Sequence, residues 1–350
     1  MKNRLASWTW AHFAVDMSCF YILYRGVETV YRADLTTIGI AIMLYNCIAF
    51  GLQMVFGSIA DRYPKIEKAI GVVGLAFMPI PLAIIWISQG TTASWIALTL
   101  CALLNAAFHV GGGMDVLKKS NGRIAPSGIF VSSGALGLIL GTLYGQTGHG
   151  ALLPMSIVIM ATILLSLSVL KPSDEIPSVP FTMLTKHNVG VIAAFLFIAV
   201  FIRSYAGIIW PIGFEKTGLL ILLPAVSSCL GKALGGIVAD RMGARETAIV
   251  SLALSIVLLF LSHGSWVVTG VSILLFNMAM PITLCGLASA MPNHLGFAFG
   301  LSTFALLLGF ITFTFGIINI NPNYIITLLG IIAILLIALS LRSHKSKPLC

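Results

Sequence analysis

A chain of 350 residues with 58% hydrophobic and only 9% charged residues has too little charge to cover the surface of a soluble protein of this size, which excludes an ordinary soluble domain. The formal charge of +9 lies in short loops, with no basic patch interleaved with aromatics, so a nucleic-acid-binding module is excluded as well. The six cysteines are Cys19, Cys47, Cys101, Cys229, Cys285 and Cys350; five fall in apolar runs and none forms a CxxC pair, so they read as small buried hydrophobes.

Crossing the hydrocarbon core takes about 20 apolar residues. In chain order the apolar runs predict spans at 6–25, 36–60, 68–88, 93–117, 126–146, 150–170, 188–210, 218–239, 246–263, 266–289, 297–317 and 323–342. The expected fold is therefore an all-α polytopic membrane protein of about 12 transmembrane helices. No stretch remains for a separate soluble domain. The first run follows Lys2 and Arg4 as a leader peptide would, but His12 and Asp16 interrupt it and no small-residue cleavage site follows, so it reads as a retained first helix. The segment 173–187 is polar and proline-bearing and reads as a cytoplasmic tether between two halves, 1–172 and 188–350.

Loop charge sets the orientation. With the N-terminus inside, Lys2, Arg4, Arg62, Lys65, Lys68, Lys118, Lys119, Arg123, Lys171, Lys186, Arg241, Arg245, Arg342, Lys345 and Lys347 fall in inner segments, against Arg25, Arg32 and Lys216 outside. This bias places both termini in the cytoplasm.

Two loops match each other. The first reads Gly57-Ser-Ile-Ala-Asp61-Arg62-Tyr-Pro64-Lys65, the second Gly236-Ile-Val-Ala-Asp240-Arg241-Met-Gly243-Ala-Arg245, an offset of 179 residues. Gly128 and Gly137 are echoed by Gly300 and Gly309 at an offset of 172. Parallel repeats of this kind mark transporter folds. With GxxxDRxGxR between the second and third helices of each half, the sequence resembles the major facilitator superfamily over its whole length. The second copy is complete; the first departs, with Pro64 at the place of Gly243 and Lys65 as its basic residue one position short of the place of Arg245. The resemblance implies two pseudo-symmetric six-helix bundles around a central cavity. It also implies that Gly57, Asp61, Arg62, Gly236, Asp240, Arg241 and Arg245 latch the halves in one conformation.

Three further segments resemble the fosmidomycin-resistance-type exporters of that superfamily or its antiporter motif. They are Ala11-His12-Phe-Ala-Val-Asp16, Ala107-Phe108-His109, and the fifth span's glycine series Gly134, Gly137, Gly141 and Gly145, with Thr142 at the motif's proline position. This implies proton-coupled export of a small molecule; import of a small anion is the alternative.

The candidate chemistry lies inside the spans. Asp16 is about ten residues into the first span, near the midplane, where insertion of an Asp costs about 2.5–3.5 kcal/mol. A carboxyl so placed can take up and release a proton near neutral pH, and His12, one helical turn away, can share it. These two are the expected proton-coupling residues, against the plainer reading of a structural polar pair. Arg203 cannot shed its charge, so it needs an anionic substrate, a cavity or a carboxylate such as Glu215 or Asp16. Substrate contact is assigned to Arg203, Trp210 and His109. Asp115 is expected to pair with Lys118 or Lys119, and Lys232 to snorkel to the cytoplasmic interface. HExxH and GxSxG are absent, and Ser132-Ser133-Gly134 resembles an intramembrane protease box with Val131 at its leading glycine. A non-enzymatic transporter without cofactor or metal is expected, monomeric, in a plasma membrane of the bacterial inner-membrane kind, with a small molecule, protons and lipid as its partners.

Overall fold

Unbroken apolar runs without charge form helices because lipid leaves the backbone no partner but itself. The protein's structure is a computed structural model that describes residues 2–28, 34–88, 90–169, 181, 183–185, 188–316 and 321–343. Arg32, Lys171, Lys186, Lys345, Lys347, Cys350 and most of the tether lie outside these residues, as do the side chains of Lys2, Pro64 and Lys68.

Twelve helical spans run through the described residues, and no named strand occurs among them. They are α1 (Lys2–Tyr21), α2 (Leu35–Arg62), α3 (Glu67–Ala76 and Pro79–Ile87), α4 (Thr91–Lys119), α5 (Ala125–Gln146) and α6 (Leu152–Val169). Then come α7 (Val189–Ile208), α8 (Leu223–Met242), α9 (Ala244–Leu261), α10 (Trp266–Asn277 and Ala279–Ala290), α11 (Leu295–Thr314) and α12 (Pro322–Ser340). Eleven of these are long and apolar enough to cross a membrane. The exception, α1, has 20 residues but carries Arg4, His12 and Asp16, which the protein rather than lipid surrounds. The chain is thus a multi-pass helical membrane protein.

Local chemistry sets the ends and breaks. Asp34 caps α2 by accepting the Thr37 N–H at 3.0 Å, and bonds from the Thr37 hydroxyl and N–H hold its carboxyl below the usual range. Proline removes an N–H and crowds the carbonyl four residues back. Pro81 accordingly falls just past the interruption of α3 at Phe77–Met78, and Pro281 past that of α10 at Met278. Of the expected tether, the described residues dock on the second half. Met183 O accepts the Arg342 N–H at 2.8 Å, Thr185 N donates to Ser340 O at 3.1 Å, and the Ser289 hydroxyl donates to Phe181 O at 2.8 Å.

Packing repeats between α1–α6 and α7–α12. The pairs α1·α5, α1·α6, α2·α4, α3·α4 and α3·α6 recur as α7·α11, α7·α12, α8·α10, α9·α10 and α9·α12. The two seams between halves are α2·α11 and α5·α8, themselves exchanged by the same operation. Glycine explains the echo in the sequence. Gly128 lies against Lys232 O and Gly236 on α8, as Gly300 lies against Met54 on α2; Gly137 lies against Phe13 O on α1, as Gly309 lies against Ser204 on α7. Small residues let backbones approach where lipid offers no hydrophobic drive for association.

The α1·α5 contact is built on this device, with Gly134, Gly137, Gly141 and Gly145 all turned toward α1. A Cβ on Gly141 would collide with the Met17 carbonyl, whereas one on Gly39 of α2 would meet nothing within 4 Å. Gly141→Ala is therefore expected to destabilise the protein by about 1–3 kcal/mol, and Gly39→Ala to be neutral or stabilising by up to about 1 kcal/mol. Thermal unfolding of the two purified variants in one detergent checks the contrast; equal melting would refute the packing argument.

Candidate functional site

The two GxxxDR loops lie at the same end of the bundle, and there the halves are closed. The first N–H groups of a helix lack intrahelical partners and carry a positive end charge. Asp61 accepts from the N–H groups of Gly296 (2.9 Å) and Phe297 (2.8 Å) at the start of α11. Asp240 accepts from Ile124 (2.7 Å) and Ala125 (3.1 Å) at the start of α5, with the Arg123 guanidinium 3.6 Å away. Each carboxylate thus caps a helix of the other half. Close approach follows from glycine again, since Gly57 lies on Gly296, and Gly236 on Ile124 and Ala125. The arginines of the motif do less than expected at this seam. Arg62 lies over the Tyr63 ring at 5.9 Å, Arg245 donates to Ala338 O at 3.0 Å, and among the described residues neither these nor Arg241 pairs with a carboxylate.

Between the halves lies a cavity in two lobes that share Lys216, Pro224, Ser228, Lys232, Met280 and Leu306. It reaches the exposed Gln146 and Lys216 at the end opposite the motifs. The lobe of about 660 Å³ is lined by second-half residues, including Arg203, Lys216, Lys232, Trp210, Ser228 and Asn277, with no carboxylate. Arg203 is 6% exposed and Trp210 8%. The guanidinium lies 5.3 Å from the Phe276 ring centre and donates through Nη2 to Phe276 O at 3.2 Å. Its Nε and the Trp210 Nε1 are buried donors with no acceptor, in a medium where an unmade hydrogen bond is costly. Neither Glu215 nor Asp16 pairs with Arg203 among the described residues.

The lobe of about 640 Å³ brings the first half's polar residues to the opposite wall. His12 Nε2 is 3.3 Å from Asp16 Oδ2, one turn along α1. His109 of α4 brings its Nε2 to 2.8 Å from His12 Nε2 and 3.7 Å from Asp16 Oδ1. Asn105 Nδ2 donates to Asp16 Oδ1 at 3.2 Å and to the Tyr45 hydroxyl at 3.3 Å. Gly134 stands beside this group, where a side chain would strike Asp16 Oδ2 and His12 Nε2. Ligand atoms of His12, Asp16 and His109 lie within 4.8 Å of one another, the one cluster of metal-ligand type found among the described residues.

Several residues stand apart from their sequence-based expectations. His109, assigned to substrate, lines the cavity but is bonded into the His12–Asp16 cluster. Asp115 does not take Lys118 or Lys119. Arg4 reaches it through Nε at 2.6 Å and Nη2 at 2.5 Å, and Trp8 Nε1 at 2.7 Å, while Lys118 pairs with Glu67. Residue 4 is 111 positions away, so only the lateral packing of α1 on α4 reveals the pair. Lys232 does not snorkel out of the protein; it lines both lobes within electrostatic reach of Asp16 and Arg203, because its face of α8 looks into the gap between halves. Ser132 and Ser133 spend their hydroxyls on the carbonyls of Ile129 (2.7 Å) and Thr9 (2.7 Å). For Asn105 and Tyr45 the sequence carries no signal beyond a lone Asn in an apolar run.

Removing one capping charge should loosen one seam selectively. Asp240→Asn keeps an acceptor oxygen but loses the charge that favours the helix end, at a cost of roughly 1–2 kcal/mol, or a factor of about 5–30 in population. Hydrogen exchange read by mass spectrometry should show amides 124–125 exchanging faster by that factor, with amides 296–297 less affected. Unchanged exchange at 124–125 would refute the cap.

No family model and no curated protein matches the chain. Solved structures do. The fucose:proton symporter of E. coli aligns at TM-score 0.68 and 12% identity, covering 96% of this chain and 97% of its own. A structure of FucP, a major facilitator superfamily transporter, in the outward conformation gives 0.62 and 12%, over 93% and 97%. The human organic anion transporter MFSD10 gives 0.66 and 13%, over 96% and 98%. With twelve spans in two pseudo-symmetric bundles and carboxylate caps across both seams, the chain has the fold of the major facilitator superfamily transporters.

Proposed function

We propose that the chain is a secondary transporter that moves a small organic anion through the central cavity by alternating access, coupled to protons at the His12–Asp16–His109 cluster, and that it works as an exporter. One observation carries this reading: a cationic wall facing a proton-binding wall across the same cavity. Arg203 brings fixed positive charge, with Lys232 as a second basic group, and neither has a carboxylate partner on their side. Such charge is tolerated within a membrane beside water or an anion. The orphaned donors Arg203 Nε and Trp210 Nε1 suit a carboxylate or phosphonate oxygen. A group whose charge state can change is supplied by the opposite wall.

The halves 1–172 and 188–350 would rock about the seams, with Asp61 and Asp240 as the latches and 173–187 as the tether. Loop charge puts the latches inside, so this cavity faces outward from a bacterial inner membrane. One copy supplies both walls, in keeping with a monomer. Export is favoured by the resemblance of the His12–Asp16 segment and of the α5 glycine series to exporters of this fold. Proton-linked import is the second reading, favoured by cations that face the outward reach of the cavity; among proteins of this fold, the fucose symporter is named for that coupling.

Proteoliposomes separate the two directions. With acid outside, an antiporter should speed loss of a labelled internal anion from a panel of short carboxylates and phosphonates, and a symporter should accumulate the external one. Asp16→Asn should abolish the response to the pH gradient while keeping anion exchange between equal pools. Undiminished driven flux in Asp16→Asn would remove the cluster from coupling.

The anion site has its own test. Arg203→Ala should weaken binding of the transported anion about tenfold or more, the equivalent of roughly 1.4 kcal/mol, and Arg203→Lys by less. If both variants bind as the parent does, the anion contacts other residues.

A further inference from the structure

The histidine pair carries more information than its proximity to Asp16. The rings of His12 and His109 meet edge to face, with centres 4.6 Å apart and planes at 90°. Their Nε2 atoms are 2.8 Å apart. Each ring's other nitrogen faces a backbone carbonyl: His12 Nδ1 lies 2.7 Å from Phe130 O, and His109 Nδ1 3.0 Å from Asn105 O. A carbonyl oxygen only accepts, so both Nδ1 atoms carry hydrogen, and a neutral imidazole has no second N–H. Two neutral rings would therefore set lone pair against lone pair across 2.8 Å, inside a buried network where a missing hydrogen bond costs most.

One added proton removes the conflict. The ring that takes it becomes imidazolium and its Nε2–H donates to the other Nε2, at a distance ordinary for such a bond. The resulting charge lies beside Asp16, whose oxygens are 3.3 Å and 3.7 Å from the two nitrogens. We infer that His12 and His109 together bind a single proton between their Nε2 atoms, and that this pair carries the coupling proton with Asp16 as its counter-charge.

The balance is simple. A proton from cavity water adds to an Nε2 lone pair and later returns to water, and no other bond is made or broken. The titratable neighbours are Asp16 and Cys19 on α1, Tyr45 on α2, Cys101 on α4 and Lys232 on α8. Of these only Lys232 is a cation, and it belongs to the other half. A movement that brings its ammonium closer to Asp16 would compete with the shared proton and expel it. A divalent metal is the rival occupant. A tetrahedral ion at about 2.0–2.1 Å from each nitrogen would hold the two Nε2 atoms about 3.3 Å apart, wider than the observed gap.

This inference deepens the proton-coupling reading, but its test does not use flux, so either can fail alone. In the purified full chain labelled with 15N-histidine, NMR at neutral pH should show one imidazole N–H coupled to nitrogens of two different rings. That signal should be lost in His12→Gln and in His109→Gln and kept in Lys232→Gln. The infrared spectrum should contain no protonated-carboxyl band that Asp16→Asn removes. Absence of the shared signal from the parent protein would overturn the inference, as would a carboxyl band that Asp16→Asn abolishes. One equivalent of metal that survives chelation and is lost in His109→Gln would overturn it in favour of a cation. The parent spectrum alone decides the main point, so a variant that fails to fold does not spare the proposal.

Discussion

Four backbone N–H groups, two at the start of α5 and two at the start of α11, are held by two carboxylates that belong to the opposite halves. Helix starts are electropositive and short of acceptors, so a carboxylate placed there satisfies both needs at once. The close seams depend on this contact, and glycine on both sides makes it geometrically possible. Because the seams shut one end of the gap between bundles, the space that remains reaches the other end. The cavity is thus what two caps leave open.

Within that space the polar chemistry is divided by half. The first half supplies a hydrogen-bonded cluster of two histidines, one carboxylate and an asparagine, reaching Tyr45 on α2. The second half supplies the cations Arg203 and Lys232, with Arg203 Nε and Trp210 Nε1 left as buried donors without an acceptor. In a low-dielectric interior such groups interact over longer distances than in water. Lys232 makes the division consequential, since it extends the second half's charge toward Asp16. A relative movement of the halves would alter the electrostatic environment of the cluster without any contact along the chain.

Much of this was legible in the sequence, for a definite reason. Features that depend on one helix and its own ends can be read from spacing: the spans, the duplicated GxxxDR, and the four-residue step from His12 to Asp16. Asp61 and Asp240 are singled out by their repeat, and the contact that they make needs only main-chain donors, whatever side chains follow. What escaped depends on how helices sit side by side. By spacing Arg4 is a loop charge, yet it lies buried against Asp115. In the sequence His109 stands as a separate ligand, yet its partner is a second histidine 97 positions earlier. Snorkelling to the interface is the usual fate of a lysine near a helix end, but the gap between bundles offers Lys232 a nearer polar environment that no one-dimensional pattern reveals.

The main-chain nature of the capping donors has a consequence for tolerated variation. At 296, 297, 124 and 125 the atom that matters to the cap is an amide hydrogen, which every residue but proline supplies. Only size is constrained there, and only where a facing glycine leaves no room. The acceptor is the reverse case, since a carboxylate of one length must arrive from one direction. A library randomised at all six positions should therefore return many functional choices at 124, 125 and 297, only glycine at 296, where a Cβ would strike the Gly57 backbone, and almost none at Asp61 and Asp240. In genetic terms the lock is permissive and the key is not.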